Sequence, residues 1–151
     1  MRLTRRALCA SLLLTPALPA AAAAGPEMLV FKTSTCGCCG KWAEHMKAAG
    51  FDVKVTNVPE TGTYRQKYGV PERLASCHTA YVGGYAVEGH VPAENVHRLL
   101  KETPKVKGIS VPGMPVGSPG MEAGTQRQAY SVVSFTADGK FAEFNKYAAR
   151  P

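Results

Sequence analysis

Three cysteines stand within four consecutive positions, Cys36, Cys38 and Cys39, between an apolar run and an amphipathic pattern. The run "MLVFKT" (28–33) is short and apolar, which is typical of a buried strand. From Cys39 onward, apolar and small residues recur with helical spacing, which predicts a helix that ends at Gly50. The three thiols therefore lie in a strand-to-helix turn.

Four cysteines follow residue 24: the three of this turn and Cys77. Adjacent Cα atoms are about 3.8 Å apart, which is below the range that a disulfide needs, so Cys38 and Cys39 cannot pair with each other. Cys36 and Cys39 have the C-x-x-C spacing and are the one comfortable local pair. Cys38 and Cys77 then need another explanation.

Residues 1–24 combine an arginine-rich start, an apolar stretch and an alanine run, the layout of a secretory signal peptide. The apolar stretch contains Pro16 and Pro19 and is shorter than the roughly 20 residues of a membrane span. We therefore expect export to the periplasm by the Sec route or, because of "TRRAL", the twin-arginine route. Residues 25–151 are the expected single domain, with no membrane attachment after cleavage.

The charge of the chain gives little sign of a nucleic-acid partner. The net charge is +7, and without the three arginines of residues 1–24 there remain 15 basic and 11 acidic residues, a net charge of +4. The remaining lysines are scattered, whereas a nucleic-acid surface needs a concentrated basic face. We therefore expect no nucleic-acid partner.

The patterns further along the chain predict alternating strands and helices. "FDVKVTNV" (51–58) alternates as a strand does, and "TYRQKYG" (63–69) is typical of a short helix closed by a glycine. "TAYV" (79–82) and "YAVE" (85–88) flank a Gly-Gly turn and predict a hairpin. A helix opened by Pro92 follows.

The last third of the chain has a different composition. Residues 111–124 include four glycines and three prolines, which predicts a shaped loop without helix or strand. Residues 129–144 predict a hairpin that turns at Asp138-Gly139. The expected fold is α/β in the order β-α-β-α-β-β-α, with parallel first strands, followed by this Gly/Pro loop and hairpin extension.

This order, with cysteines at the first strand-to-helix turn, resembles the thioredoxin/glutaredoxin fold. "CGCC" (36–39) stands where such proteins have C-x-x-C, and "ASCHTAYVGGYAVEGHVP" (75–92) resembles the glutaredoxin stretch from the cis-proline loop to the last helix. The position before the third strand carries Cys77-His78-Thr79 and no proline, so the cis-proline clamp is expected to be absent. The resemblance implies that Cys77 faces the other three cysteines.

More narrowly, "CGCC", "CHT", "GHVP" and "PGMPVGSPGME" together resemble the CopG-type periplasmic copper-resistance proteins, a thioredoxin-like family with a C-x-C-C motif. The resemblance covers about residues 28–144. It implies that the cysteine cluster binds several Cu(I) ions, with a role in copper redox conversion or detoxification.

The residue types agree with soft-metal chemistry. Thiolates select Cu(I), zinc or iron–sulfur clusters over hard ions. The free N–H groups at the start of the helix are expected to lower the pKa of the nearby thiols. Adjacent Cys38 and Cys39 suit bridging ligands of a multinuclear Cu(I)–thiolate cluster better than a single tetrahedral ion. The expected metal ligands are Cys36, Cys38, Cys39 and Cys77.

Four further residues are candidate accessory ligands. His78 follows Cys77 directly, and His90 lies at the end of the predicted hairpin. Met114 and Met121 lie in the 111–124 loop, a candidate lid over the cysteine turn, and thioether sulfur is a weak soft ligand. His45 is expected on the surface, too far along the helix to join the cluster.

The sequence therefore favours an exported Cu(I)-binding protein of copper resistance and homeostasis, in which Cu(I)/Cu(II) interconversion is a further expectation. Its expected partners are metal ions and other periplasmic copper-handling proteins. Three alternatives stay open: a periplasmic thiol–disulfide oxidoreductase using Cys36 and Cys39, a structural Zn–Cys₄ interaction module, and a disulfide-stapled binding domain. If the protein is an enzyme, the expected activity is that of a copper oxidoreductase.

Overall fold

The computed structural model describes residues 25–151, and the expected signal peptide at residues 1–24 lies outside them. The described part contains seven strands and three α-helices: β1 (Glu27–Lys32), α1 (Gly37–Ala48), β2 (Asp52–Asn57), α2 (Gly62–Tyr68), β3 (His78–Val82), β4 (Tyr85–Glu88), α3 (Ala93–Glu102), β5 (Gly108–Ser110), β6 (Tyr130–Phe135) and β7 (Phe141–Tyr147). A 3-10 turn at Glu72–Leu74 precedes β3. Among these helices, none has the length and apolar character to cross a membrane.

All seven strands join one mixed sheet in the order β2-β1-β3-β4-β5-β6-β7. β1 pairs with β2 in parallel and with β3 antiparallel. The pairing of β4 with β5 is parallel, and the remaining neighbours are antiparallel. The prediction of an α/β fold with parallel first strands is thus confirmed.

The core lies on both faces of the sheet because side chains alternate along a strand. Met28 and Val30 of β1 point into a cluster with Trp42 of α1 and Leu99 of α3. Phe31, the neighbour of Val30, packs in a second cluster on the opposite face. That cluster also contains Tyr68 of α2, Leu74, Ala86 and Phe135. Helices α1 and α3 therefore cover one face and α2 the other.

The elements lie close to their predicted places, with one strand missed by the sequence patterns. α1 ends at Ala48, and Gly50 follows with a left-handed φ of +93°. The missed strand is β5, whose three buried residues are too few to show a period. It connects β4 to the C-terminal hairpin, so the hairpin extends the sheet and is not a separate appendage.

The C-terminal hairpin is confirmed. β6 and β7 pair antiparallel, with a register irregularity at Val132/Val133. Gly139 takes a left-handed φ of +78° in the predicted turn. Residues 111–124 join β5 to β6 and form a loop without helix or named strand, as their composition predicts.

Candidate metal centre

The sheet topology brings Cys77 to the cysteine turn. Cys36 is the N-terminal cap residue of α1, and Cys38 and Cys39 lie in its first turn. β3 runs antiparallel to β1, and Lys32, the last residue of β1, pairs with His78, the first residue of β3. Cys77 directly precedes β3, so it lies at the edge of the sheet where β1 leads into the turn. The four Sγ atoms lie within 4.8 Å of one another.

Cys36 and Cys39 form a disulfide with a Cα–Cα distance of 5.4 Å, which is the local pair that the spacing favours. Cys38 and Cys77 are free thiols. Sγ of Cys38 lies 3.5 Å from Sγ of Cys36. In this oxidised form two of the four expected ligands are bonded to each other, so four thiols are available to a metal only after two electrons and two protons reduce the disulfide.

The environment of Cys77 keeps its sulfur protonated when no metal is bound. Burial raises the pKa of the Cys77 thiol to about 12, in spite of a contact with the Ser76 hydroxyl that lowers it. The sequence led us to expect that the start of α1 would lower the thiol pKa values, and for Cys77 this expectation is wrong because burial is the largest effect. A metal ion that binds there must therefore displace the proton.

Two histidines flank Cys77, and its Sγ lies 3.0 Å from Nε2 of His90 and 3.4 Å from Nδ1 of His78. The ligand atoms of Cys77, His78 and His90 lie within 4.8 Å of one another. Nδ1 of His90 lies 2.8 Å from the carbonyl oxygen of Pro119. Because a carbonyl only accepts, Nδ1 carries the proton, and Nε2 presents its lone pair to the sulfur.

Both imidazoles are held in the neutral form that binds metals. Burial lowers the pKa of His78 to about 3 and also lowers the pKa of His90. The His78 ring packs 4.3 Å from the Trp42 ring and stands edge-on to His90 at 5.1 Å, measured between centroids. Its buried Nε2 has no hydrogen-bond partner among the described residues. The structure thus brings the two predicted histidines to Cys77.

The Gly/Pro loop, residues 111–124, rests on the cysteine turn. A Cβ at Gly120 would lie 2.7 Å from the carbonyl oxygen of Cys38 and 2.9 Å from the backbone nitrogen of Trp42. Gly120 also has a left-handed φ of +85°, so glycine is required there for both reasons. At its other end, the loop contacts the segment before Cys77, where the Gly113 N–H donates to the carbonyl oxygen of Ala75 at 3.3 Å.

The two methionines of this loop have different surroundings. Met114 is 52% exposed, whereas Met121 is half-buried. The Met121 N–H donates to the carbonyl oxygen of Ser118 at 2.8 Å, within the loop itself. The role of Met114 and Met121 as accessory ligands stays a prediction.

His45 differs from its sequence-based prediction. It is half-buried, and its Nε2 accepts a hydrogen bond at 3.2 Å from the backbone N–H of Ala93, the first residue of α3. Burial lowers its pKa, which keeps the ring neutral and able to accept. The expectation of a surface residue is therefore wrong, and His45 links α1 to the start of α3.

The sequence analysis missed an ion pair between Arg65 and Glu88, which lies against the segment that carries Cys77. Glu88, the last residue of β4, is fully buried. One of its oxygens accepts from the Ser76 N–H and the other from the Thr79 hydroxyl, both at 2.7 Å. Nη1 of Arg65 lies 3.6 Å from Oε1 of Glu88. The pKa of Glu88 is raised by burial to about 7, although these partners lower it. The sequence does contain one sign of this buried group, because Glu88 is a charged residue at the end of the otherwise apolar strand β4.

Comparison with known proteins gives one family model and two solved structures. Residues 74–121, which include Cys77, both histidines and most of the loop, match a family described as a protein of unknown function, DUF411. A structure described as copper resistance protein copG, form 1, is 40% identical and covers 81% of this chain and 97% of its own, with a TM-score of 0.77. Form 2 is 40% identical and covers 82% and 98%, with a TM-score of 0.78. None of the curated proteins matches this chain.

Proposed function

Because the chain belongs to the CopG-type copper-resistance family, we propose that it is an exported protein that binds Cu(I) through Cys36, Cys38, Cys39 and Cys77. The carrying observation is that the sulfurs of these four cysteines lie within 4.8 Å of one another. The family supports a role of this binding in copper resistance and homeostasis. Copper is the cargo of this site.

Cu(I) suits the four sulfurs better than a hard ion does. Thiolates prefer soft metals, and adjacent Cys38 and Cys39 cannot both converge easily on one tetrahedral ion. Bridging sulfurs that are shared between several Cu(I) ions avoid this restriction, which supports a multinuclear cluster. The Cys36–Cys39 disulfide must first be reduced by a dithiol or another two-electron donor.

The sheet topology supports a thioredoxin-like assignment for the first part of the described chain. Strands β2-β1-β3-β4 are consecutive in the sheet, with α1 and α3 on one face and α2 on the other. This is the arrangement that the resemblance to glutaredoxins implies. Residues 1–24 are proposed as a signal peptide that directs the domain, residues 25–151, to the periplasm, where other copper-handling proteins are its proposed partners.

Cys77, His78 and His90 support a further role in interconverting Cu(I) and Cu(II). Their mixed sulfur and imidazole ligands suit Cu(II) or zinc, whereas the four sulfurs suit Cu(I). The Cys36–Cys39 pair, when reduced, can supply the two electrons that this conversion needs. The two thiols give one electron to each of two Cu(II) ions, the Cys36–Cys39 disulfide forms and two protons leave. The four-thiolate Cu(I) site returns when a dithiol or another two-electron donor reduces this disulfide, and in the reverse reaction the disulfide takes one electron from each of two Cu(I) ions and two protons.

The disulfide also favours a second candidate function, a thiol–disulfide oxidoreductase that uses Cys36 and Cys39. Such an enzyme needs these two cysteines but neither Cys38 nor Cys77. An insulin-reduction assay distinguishes the two functions. Activity that depends on Cys36 and is unchanged in Cys38→Ser and Cys77→Ser supports the oxidoreductase.

The proposed copper function is tested on residues 25–151, purified anaerobically and reduced, by metal analysis with thiol counting and by competition with a Cu(I) chelator. We expect copper to bind and to protect four thiols, and we expect Cys38→Ser and Cys77→Ser to lose copper. His97→Gln is the control, since His97 is exposed and contacts Phe51 and Ala49. Zinc retained in place of copper, or copper that leaves the four thiols free, would overturn the proposal.

A further inference from the structure

The segment that carries Cys77 is irregular, so its position depends on contacts from elsewhere in the fold. It lies between the 3-10 turn Glu72–Leu74 and β3. The proline that would clamp this position in a thioredoxin is absent, and residues 25–151 contain no cis peptide bond. Some other feature must therefore hold the Cys77 sulfur near the other three sulfurs.

Glu88 contacts both sides of Cys77 along the chain. Its Oε1 accepts from the backbone N–H of Ser76, the residue before Cys77, and its Oε2 accepts from the hydroxyl of Thr79, two residues after it. Both distances are 2.7 Å, and Glu88 is fully buried. Both hydrogen bonds are short and their acceptor is buried, and breaking them would leave polar groups unpaired away from water, so they restrain the backbone on both sides of the cysteine.

Arg65 of α2 completes the restraint. Its Nη1 donates to the carbonyl oxygen of Ser76 at 3.2 Å and lies 3.6 Å from Oε1 of Glu88. The N–H of Ser76 thus contacts the carboxylate while its C=O contacts the guanidinium. Ser110 holds the preceding residues, because its hydroxyl donates to the carbonyl oxygen of Leu74 at 2.7 Å.

We propose that Glu88, supported by Arg65, is the positioning residue that sets the place of the Cys77 sulfur in the four-sulfur copper site. This inference rests on the proposed copper function. Glu88 contacts Ser76 and Thr79 and so acts through the backbone. It takes over the role that a proline clamp would have at this position. Metal sites lose affinity when the groups that orient a ligand are removed, typically by about 10–100-fold.

Three variants test the proposal. Glu88→Ala removes both hydrogen bonds and leaves all four cysteines in place. Glu88→Gln has nearly the same shape, and its carbonyl can accept from Ser76 while its amide donates to the Thr79 oxygen. Glu72→Gln is the matched control, because the Glu72 side chain is 80% exposed and lies 3.5 Å from Nε of Arg65. It has no hydrogen bond to the 76–79 segment.

The measurements are Cu(I) affinity by chelator competition, copper bound per protein, and the ultraviolet sulfur-to-copper absorption. We expect Glu88→Ala to weaken Cu(I) binding by about tenfold or more and to lose part of this absorption. We expect Glu88→Gln to recover most of the affinity and Glu72→Gln to match the unsubstituted protein. A role limited to fold stability would lower the melting temperature of Glu88→Ala and leave its absorption and copper content unchanged.

The outcomes separate this inference from the proposed function. If the unsubstituted protein binds no Cu(I), the proposed function fails. If it binds Cu(I), and folded Glu88→Ala binds copper with unchanged affinity and absorption, the positioning role of Glu88 is wrong and the copper function stands. If Glu88→Ala does not fold, Arg65→Met decides, since it removes the contact to the Ser76 carbonyl: a weaker affinity supports the proposal, and an unchanged affinity overturns it.

Discussion

The sulfur of Cys77 lies 3.0 Å from Nε2 of His90, whose Nδ1 donates to the carbonyl oxygen of Pro119 at 2.8 Å. A single imidazole thus joins the candidate copper site to the loop of residues 111–124. Since the hydrogen bond to Pro119 fixes the ring tautomer, the loop controls which nitrogen faces the sulfur.

Replacing His90 by leucine should affect both the copper site and the loop. Leucine fills a similar volume but provides neither the lone pair near Cys77 nor the N–H for Pro119. We expect His90→Leu to weaken Cu(I) binding by about tenfold or more and to increase protease cleavage within residues 111–124. Chelator competition and limited proteolysis measure the two effects. His97→Leu, an exposed site on α3, is the control, and equal results for the two variants would contradict the role of His90.

A methyl group at Gly120 should separate the loop from α1. Gly120→Ala places a Cβ within 3.0 Å of backbone atoms of Cys38 and Trp42. Both residues belong to α1, so these atoms can move away only if the helix backbone moves. Gly124 also has a positive φ, but a Cβ there meets nothing within 4 Å. We expect Gly124→Ala to cost about 1–2 kcal/mol for its backbone conformation and Gly120→Ala to cost more. Urea unfolding measures both, and equal losses would show that the loop does not rest on α1.

Trp42 ties the cysteine helix to the residue that follows His90. Its indole N–H donates to the carbonyl oxygen of Val91 at 2.9 Å, and the side chain is fully buried. Trp42→Phe leaves that buried carbonyl unpaired, which costs about 1–3 kcal/mol in addition to lost packing. Chemical unfolding followed by circular dichroism gives the free energy of unfolding, and a change within the error of the measurement would rule out this hydrogen bond as a stabilising contact.

The C-terminal hairpin should weaken at alkaline pH through its tyrosines. Tyr130 and Tyr147 stack with ring centroids 4.8 Å apart, and the Tyr147 hydroxyl donates to Glu94 at 2.6 Å. Burial raises the pKa of Tyr130 to about 12, and burial followed by the Glu94 hydrogen bond raises the pKa of Tyr147. Because a tyrosine in the unfolded chain ionises near pH 10, it loses its proton before the folded one does.

The stabilisation by these tyrosines is therefore complete below about pH 10 and is lost as the pH rises through the folded pKa values. Tyr147→Phe keeps the stacked ring and removes one titrating group. We expect the stability of the unsubstituted protein to fall more steeply than that of Tyr147→Phe over this range. Phenolate absorbance should also show one late-ionising group fewer in the variant, and identical pH profiles would refute the assignment.

Local sequence patterns predicted the parts of the fold that depend on short spacings. Cys36 and Cys39 are three residues apart, and that spacing alone selected the disulfide pair. The meeting of Cys77 with the turn needed more, because it depends on the antiparallel pairing of β1 with β3. That prediction came from the fold resemblance, and the positions of the four sulfurs agree with it.

The contacts that the sequence could not predict join residues far apart in the chain. His45 accepts from Ala93, 48 positions away, and Glu88 accepts from Ser76, 12 positions away across a hairpin. The residues next to His45 and Glu88 in the sequence give no sign that each side chain accepts a hydrogen bond from a distant backbone N–H. β5 was missed for a different reason, since three residues give no period to detect.

Residues 111–124 are joined at both ends to adjacent strands, β5 and β6, so this loop cannot swing away from the sulfurs as a free arm. Ser34 and Thr35, between β1 and Cys36, and Gly37, between Cys36 and Cys38, are exposed. If copper passes between this protein and its proposed periplasmic partners, we expect an acceptor to reach the metal past these three small residues. Such an acceptor would have to present its own metal ligands at this exposed side of the turn.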